Sequence, residues 1–287
     1  MTVLVFIMAR VSGDPVGLLA GERATREERE MIRKDLGLDK PLVTQYVIFF
    51  RHMVRGDFGR SLLTQQSAAK MVGERISATV QLAGVAFLFS VLIAVPLGVI
   101  TAVKRDSWID YVGKVFAFLG MATPGFWLGI MLIFAFAVTF ELLPAGGRGG
   151  PQYLILPAVS LGWHSCAGVL RLTRSATLDA LDSEYIKMAR IKGLPEWKVV
   201  WKHAFRNALI PPLTLATVLL STLLTGSVIT EQVFAYPGLG ALAIQSVNWR
   251  DYSVLQTVIL LYTVIFVAMN LFVDLMYAYI DPRIRYG

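Results

Sequence analysis

Long uncharged stretches alternate with short charged ones along most of the chain, and that alternation predicts the elements. Residues 78–103 carry no charge, with Pro96 and Gly98 near the end of the run. Residues 111–140 hold one charge, Lys114, and are interrupted by Pro124 and Gly125. Residues 153–172 contain Pro157, His164 and Cys166, 208–231 open near Pro211-Pro212, and 252–280 carry Asp274 as their one charge. A bilayer core about 30 Å thick is crossed by about 20 mostly apolar residues in a helix. Each stretch is therefore read as a span. Pro and Gly inside them are compatible with spanning helices, whose neighbours re-satisfy freed backbone groups.

The first 77 residues have a different texture. Met1 to Met8 is apolar but too short to cross a bilayer, and is read as the outer end of a first span that begins upstream, with a short interfacial helix as the alternative. It has no basic segment before it and no small-residue cleavage site after it, so it does not fit a signal peptide. Thr25 and Glu28 form a capping-box pair, and Gly37 is placed to stop a helix over 26–36. Pro41 opens a second helix carrying Tyr46, Val47, Ile48, Phe49 and Phe50, a cluster too short to span. The expected fold is all-α: a polytopic membrane helix bundle of about six transmembrane helices. Residues 1–77 supply a partial first span and an extracytoplasmic region, and 78–287 a core.

Composition agrees with this division. Of 287 residues, 55% are hydrophobic and only 16% charged, against about 25% charged in soluble domains. The net charge of +7 could point to nucleic acid in a soluble protein. Here the cations gather between apolar runs, so loop topology and anionic lipid account for them. Lys104, Arg105, Arg283 and Arg285 join eight cations between Arg171 and Arg206, whereas 141–152 and 231–251 hold only Arg148 and Arg250. The positive-inside rule puts 104–110, 171–207 and the C-terminus in the cytoplasm of a multi-pass cell-membrane protein. Residues 10–77 carry twelve cations and nine anions yet fall outside by alternation, as long translocated loops can. A lone cysteine, Cys166, excludes an intrachain disulfide and is read as a small buried thiol.

The segment 173–207 is long and charged for a loop inside a bundle. Ser183 can cap a helix over 184–192, Gly193 stops it, and Pro195 with Glu196 starts another. Tyr185, Met188 and Ala189 share a face at i, i+3 and i+4, with Lys187, Arg190 and Lys192 around them. Such an element can present an apolar knob ringed by cations to a partner's groove. A solvated basic loop near anionic lipid is the plainer alternative.

Chemistry is sparse. No phosphate loop of the form Gly-x-x-x-x-Gly-Lys-Ser/Thr occurs, and Gly146 to Gly150 reads as a flexible connector. His52, His164 and His203 lack metal-ligand spacing, and no Ser/His/Asp set stands out, so no catalytic or metal residue is named. Ionisable groups in or near spans are candidates for a translocation path by default: Glu231 at the outer end of the fifth span, Asp274 in the last, and His164. A structural ion pair for Asp274 and a packing histidine at 164 are the alternatives. A proton-coupled transporter would need a carboxylate or histidine relay and usually an inverted repeat, and a membrane enzyme would need clustered polar groups. None of these is visible.

The run from Glu184 to Leu194, followed by His203 to Pro211, resembles the coupling loop of ABC importer permeases of the oligopeptide/dipeptide/nickel type. Gly13-Asp14-Pro15, Leu36 to Leu42, Gly56 to Ser61, Pro124 to Gly129, Phe234 to Gly240, Arg250-Asp251-Tyr252 and Asp281 to Arg285 match in order over nearly the whole length. The general Glu-Ala-Ala…Gly motif departs: its Glu falls on Lys187, and only Ala189 and Gly193 agree. The resemblance implies a transport subunit, not an enzyme, that moves peptides or related solutes by alternating access. It implies coupling to ATPase subunits through Glu184, Tyr185, Met188, Ala189, Arg190 and Gly193. The implied partners are a second permease subunit, two cytoplasmic ATPase subunits, an extracytoplasmic substrate-binding protein and the bilayer. No cofactor is expected in this chain, because ATP and Mg would be bound by the ATPases.

Overall fold

The computed structural model describes residues 2–11, 16, 20, 24–35 and 37–280. It is helical, and the described residues include no strand, only an isolated bridge between Arg60 and Ser67. The chain divides into two compact units, Met1–Thr79 with Pro237–Ile265, and Val80–Tyr236 with Phe266–Gly287.

The first unit contains α1 (Thr2–Val11), α2 (Arg26–Asp35), α3 (Leu42–Val54) and α12 (Leu239–Asn248), and shares α4 (Ala68–Val103) and α13 (Tyr252–Ile280) with the second. Local signals set its ends. Thr25 N–H donates to Glu28 Oε2 at 2.8 Å while Glu28 N–H donates to Thr25 Oγ1 at 3.3 Å, a reciprocal capping box. Gly37, at φ +65°, donates to the Lys34 carbonyl and Leu38 to that of Arg33, a Schellman closure. Phe6 packs edge-on to Tyr46 with ring centres 5.5 Å apart. Ala68, Val72, Leu239, Leu242, Val254 and Val258 form the unit's core. Buried Ser61 donates to buried Asp251, which also receives Val254 N–H at the start of α13.

The second unit holds α5 (Trp108–Ala122), α6 (Gly125–Thr139), α7 (Gln152–Leu181), α8 (Glu184–Ile191), α9 (Glu196–Ala208), α10 (Ile210–Thr225) and α11 (Val228–Val233). Ala94, Ala117, Cys166, Val169, Leu170 and Ala216 make its core, and the Cys166 thiol is fully buried. Small residues let the helices close up: Ser90 Oγ lies 2.8 Å from the carbonyls of both Ala86 and Gly162.

The spans differ from expectation in length and shape. Among the described residues α4, α7 and α13 are long and apolar enough to cross a bilayer, and the number is five where each of two bent pairs, α5 with α6 and α9 with α10, counts as one span. The expected single span over 111–140 is two helices bent by 106°, because Pro124 forces Thr123 into extended backbone. α4 starts at Ala68, not 78, and α7 runs on to Leu181, since the helix continues through charged residues that hydropathy alone leaves out. α1 has ten residues, about 15 Å of helix. Glycines 146–150 are not a free connector: Gly147 N–H donates to the Phe234 carbonyl at 2.8 Å.

Candidate functional site

The hairpin between α7 and α10 is built from local signals and a small core of its own. Ser183 takes extended backbone before α8, as an N-cap should, but its hydroxyl donates back to the Ala180 carbonyl instead of capping α8. The open carbonyls at the end of α7 compete for it. Gly193, at φ +73°, ends α8, and Pro195 opens α9. α9 carries a π-helical stretch over Val199–Ala204, a wide turn that recurs at functional positions.

Ile186, Ala189, Val199 and Ala204 bury against one another, with Leu181 and Leu194 at the edge. Ala189 is only 7% exposed. It therefore faces inward, not with Tyr185 and Met188 as expected; the outward ridge is Tyr185, Met188 and Ile191 at i, i+3 and i+6, and Ile191 is 79% exposed. Polar contacts brace the hairpin from the sides. Arg190 Nε and Nη2 donate to the two Glu196 carboxylate oxygens at 3.2 and 2.6 Å. Lys187 pairs with Glu184 at 2.7 Å, and Asn207 Nδ2 donates to the Tyr185 hydroxyl at 3.0 Å. The Glu196 carboxylate holds the Arg190 guanidinium even higher than its ordinary range, and Glu184 does the same for the Lys187 ammonium. Both stay cationic at any physiological pH.

A second node lies where α5 begins. Asp110 is fully buried. Arg174 of α7 donates to it from Nε at 2.6 Å and Nη2 at 2.9 Å, Lys114 pairs with it at 2.9 Å, and Asp106 N–H donates at 3.0 Å. Asp110 was not a sequence candidate. Its one early signal is the Ser107 N-cap three residues before it, whose hydroxyl accepts from Asp110 N–H at 3.4 Å.

Comparison with known proteins places the whole chain. The sequence profile described as binding-protein-dependent transport system inner membrane component matches residues 94–286, and the N-terminal profile of the same transport components matches residues 1–83. The chain belongs to that family. It is the membrane permease subunit of an ABC importer, and ATP hydrolysis is the work of separate ATPase subunits. The glutathione transport system permease protein GsiC of Salmonella choleraesuis is 39% identical over 287 residues, covering 100% of this chain and 94% of that protein. The dipeptide transport system permease protein DppB of Alkalihalophilus pseudofirmus is 36% identical over 315 residues, covering 100% and 95%. A chain of the MetNI methionine ABC transporter, solved in inward facing conformations, superposes with a TM-score of 0.60 at 22% identity, covering 74% of this chain and 97% of that one. That likeness speaks for the fold alone.

Family membership brings a membrane location, ATPase subunits and a substrate-binding protein to this permease. His164 borders an open cavity of about 480 Å³ with Gly168, Arg171, Ser175 and Leu215. Glu231 is fully buried and accepts a hydrogen bond from Ser227 Oγ at 2.8 Å. The Asp274 side chain, like the Gly13-Asp14-Pro15 and Asp281 to Arg285 stretches, lies outside the described residues.

Proposed function

We propose that α8 is the coupling helix of a peptide importer and seats in a cleft of a cytoplasmic ATPase subunit. The observation that carries this reading is the two-sided hairpin. Ile186 and Ala189 anchor α8 to its own core, while Tyr185, Met188 and Ile191 stand outward beside Lys187 and Lys192. A ridge anchored this way moves with its helices, so a push from the ATPase reaches α7 and α10. Glu184, Arg190 and Gly193 hold the shape of the knob; Tyr185 and Met188 make the contact. ATP binding acts only through contacts that differ between inward-open and outward-open states.

The cation distribution supports a cytoplasmic hairpin and a cytoplasmic C-terminus. The relatives named for glutathione and dipeptide transport support a short peptide as the substrate. The permease pairs with a second, different permease chain. ATP and Mg stay on the ATPase subunits and this chain binds no cofactor. His164, Glu231 and Asp274 are the groups assigned to the translocation path, His164 through the cavity it borders.

Cys166 is buried, so a thiol placed at Met188 reacts selectively. In the assembled transporter, Met188→Cys should cross-link to an ATPase subunit, and more strongly in one nucleotide state than in the other. Labelling of that thiol by an impermeant reagent from outside the cell would overturn the reading.

A further inference from the structure

We propose that the groove between α5 and α7 binds an anionic phospholipid of the cytoplasmic leaflet. The groove encloses about 420 Å³ and is graded along its length. Lys114, Arg171 and Arg174 stand at one end, and Phe118, Met121 and Ala122 follow along α5 toward the other. The helices are antiparallel here, so the cations from both fall at one depth. Lys114 to Ala122 spans about 12 Å of helix, close to the roughly 15 Å of one hydrocarbon leaflet. Phe118 is 71% exposed, which leaves the apolar wall open to a lipid chain.

Charge decides the headgroup. Lys114 and Arg174 share one buried carboxylate, Asp110, so that with Arg171 the rim keeps two positive charges, and neighbouring Asp106 is paired with Arg105 at 3.4 Å. Arg171 is exposed and forms no ion pair among the described residues. A phosphate-bearing headgroup of net negative charge complements this rim, as basic pockets between membrane helices do on the cytoplasmic side. A second permease chain seated here would have to bring carboxylates to the same depth.

The inference rests on the orientation given under Proposed function. The whole transporter is placed in vesicles containing phosphatidylglycerol or phosphatidylcholine analogues with a photoreactive acyl chain, and labelled peptides are mapped. The glycerol analogue should label 115–122 several-fold more than the choline analogue. Arg171→Gln should cut that excess about fivefold, the weight of one cation near a headgroup, and Arg171→Lys should keep it. Lys114→Gln, which leaves Arg174 on Asp110, should act like Arg171→Gln. Equal labelling by both lipids would overturn the site, as would cross-links from 115–122 to the second permease. Labelling only when the analogue is confined to the leaflet opposite the ATPases would instead overturn the orientation.

Discussion

Arg174 reaches back to Asp110, 64 positions earlier, and grips both carboxylate oxygens, at 2.6 and 2.9 Å. The pair fastens the start of α5 to the last turns of α7, the helix that leads into α8. It therefore lies between the proposed coupling hairpin and the start of α5. Asp110→Asn would leave Arg174 and Lys114 without their counter-charge. Breaking a buried pair from one side costs about 3–5 kcal/mol; Arg174 retains 19% exposure, so the low end, about 3 kcal/mol, is expected. A lowered melting temperature of the purified complex and weaker ATPase stimulation by the binding protein should appear together. Asp110→Asn with Arg174→Gln should recover part of the stability.

Two glycines of α7 should respond in opposite senses to alanine. A Cβ at Gly162 would lie 2.6 Å from the Ala86 carbonyl oxygen and 2.8 Å from Ser90 Oγ. Backbone cannot yield cheaply, so Gly162→Ala should destabilise by about 1–3 kcal/mol through overpacking. At Gly168 the nearest atom is Leu215 Cδ2 at 4.0 Å. Gly168→Ala should be neutral or stabilise by up to about 1 kcal/mol, from helix propensity. Thermal melts of the two variants in one detergent decide it.

Gly193 tests the conformational argument for the hairpin. A Cβ there meets nothing within 4 Å, yet φ is +73°. The penalty is therefore backbone strain, about 1–2 kcal/mol for most residues and less for Asn. Gly193→Asn should keep most uptake, and Gly193→Val should lose more. Equal loss in both would mean that the partner cleft excludes any side chain, not that the turn is strained.

What the sequence makes legible here is local. The Thr25–Glu28 box, the Gly37 closure, the Gly193 stop and the Pro195 start each depend on residues within a few positions, and each appears as read. Hydropathy found the apolar stretches but not the helix ends, because Lys70, Glu74 and Arg75 continue α4 beyond the apolar run. The inward turn of Ala189 depends on Val199 and Ala204 folding back beneath it, which spacing within α8 cannot reveal. Asp110 escaped for the same reason: its partner is remote in sequence, and an aspartate after Ser107 reads as an ordinary first-turn acid.

Arg190 and Glu196 allow the brace to be separated from a contact with the ATPase. Both side chains are about half exposed, at 44% and 56%, so the pair is worth only about 0.2–1 kcal/mol to folding. Arg190→Glu sets two carboxylates against each other and removes the polar brace between α8 and α9, leaving their apolar contact in place. Insertion and melting temperature should change little, while uptake falls several-fold with ATPase activity retained. The exchange Arg190→Glu with Glu196→Arg restores opposite charges across the same gap. If Arg190 acts by bracing the knob, the double variant recovers most of the uptake. Met188→Asp, which alters the outward ridge itself, should gain nothing from the exchange. A double variant that melts like the wild type yet stays uncoupled would place the Arg190 guanidinium against the ATPase and remove the brace as its role.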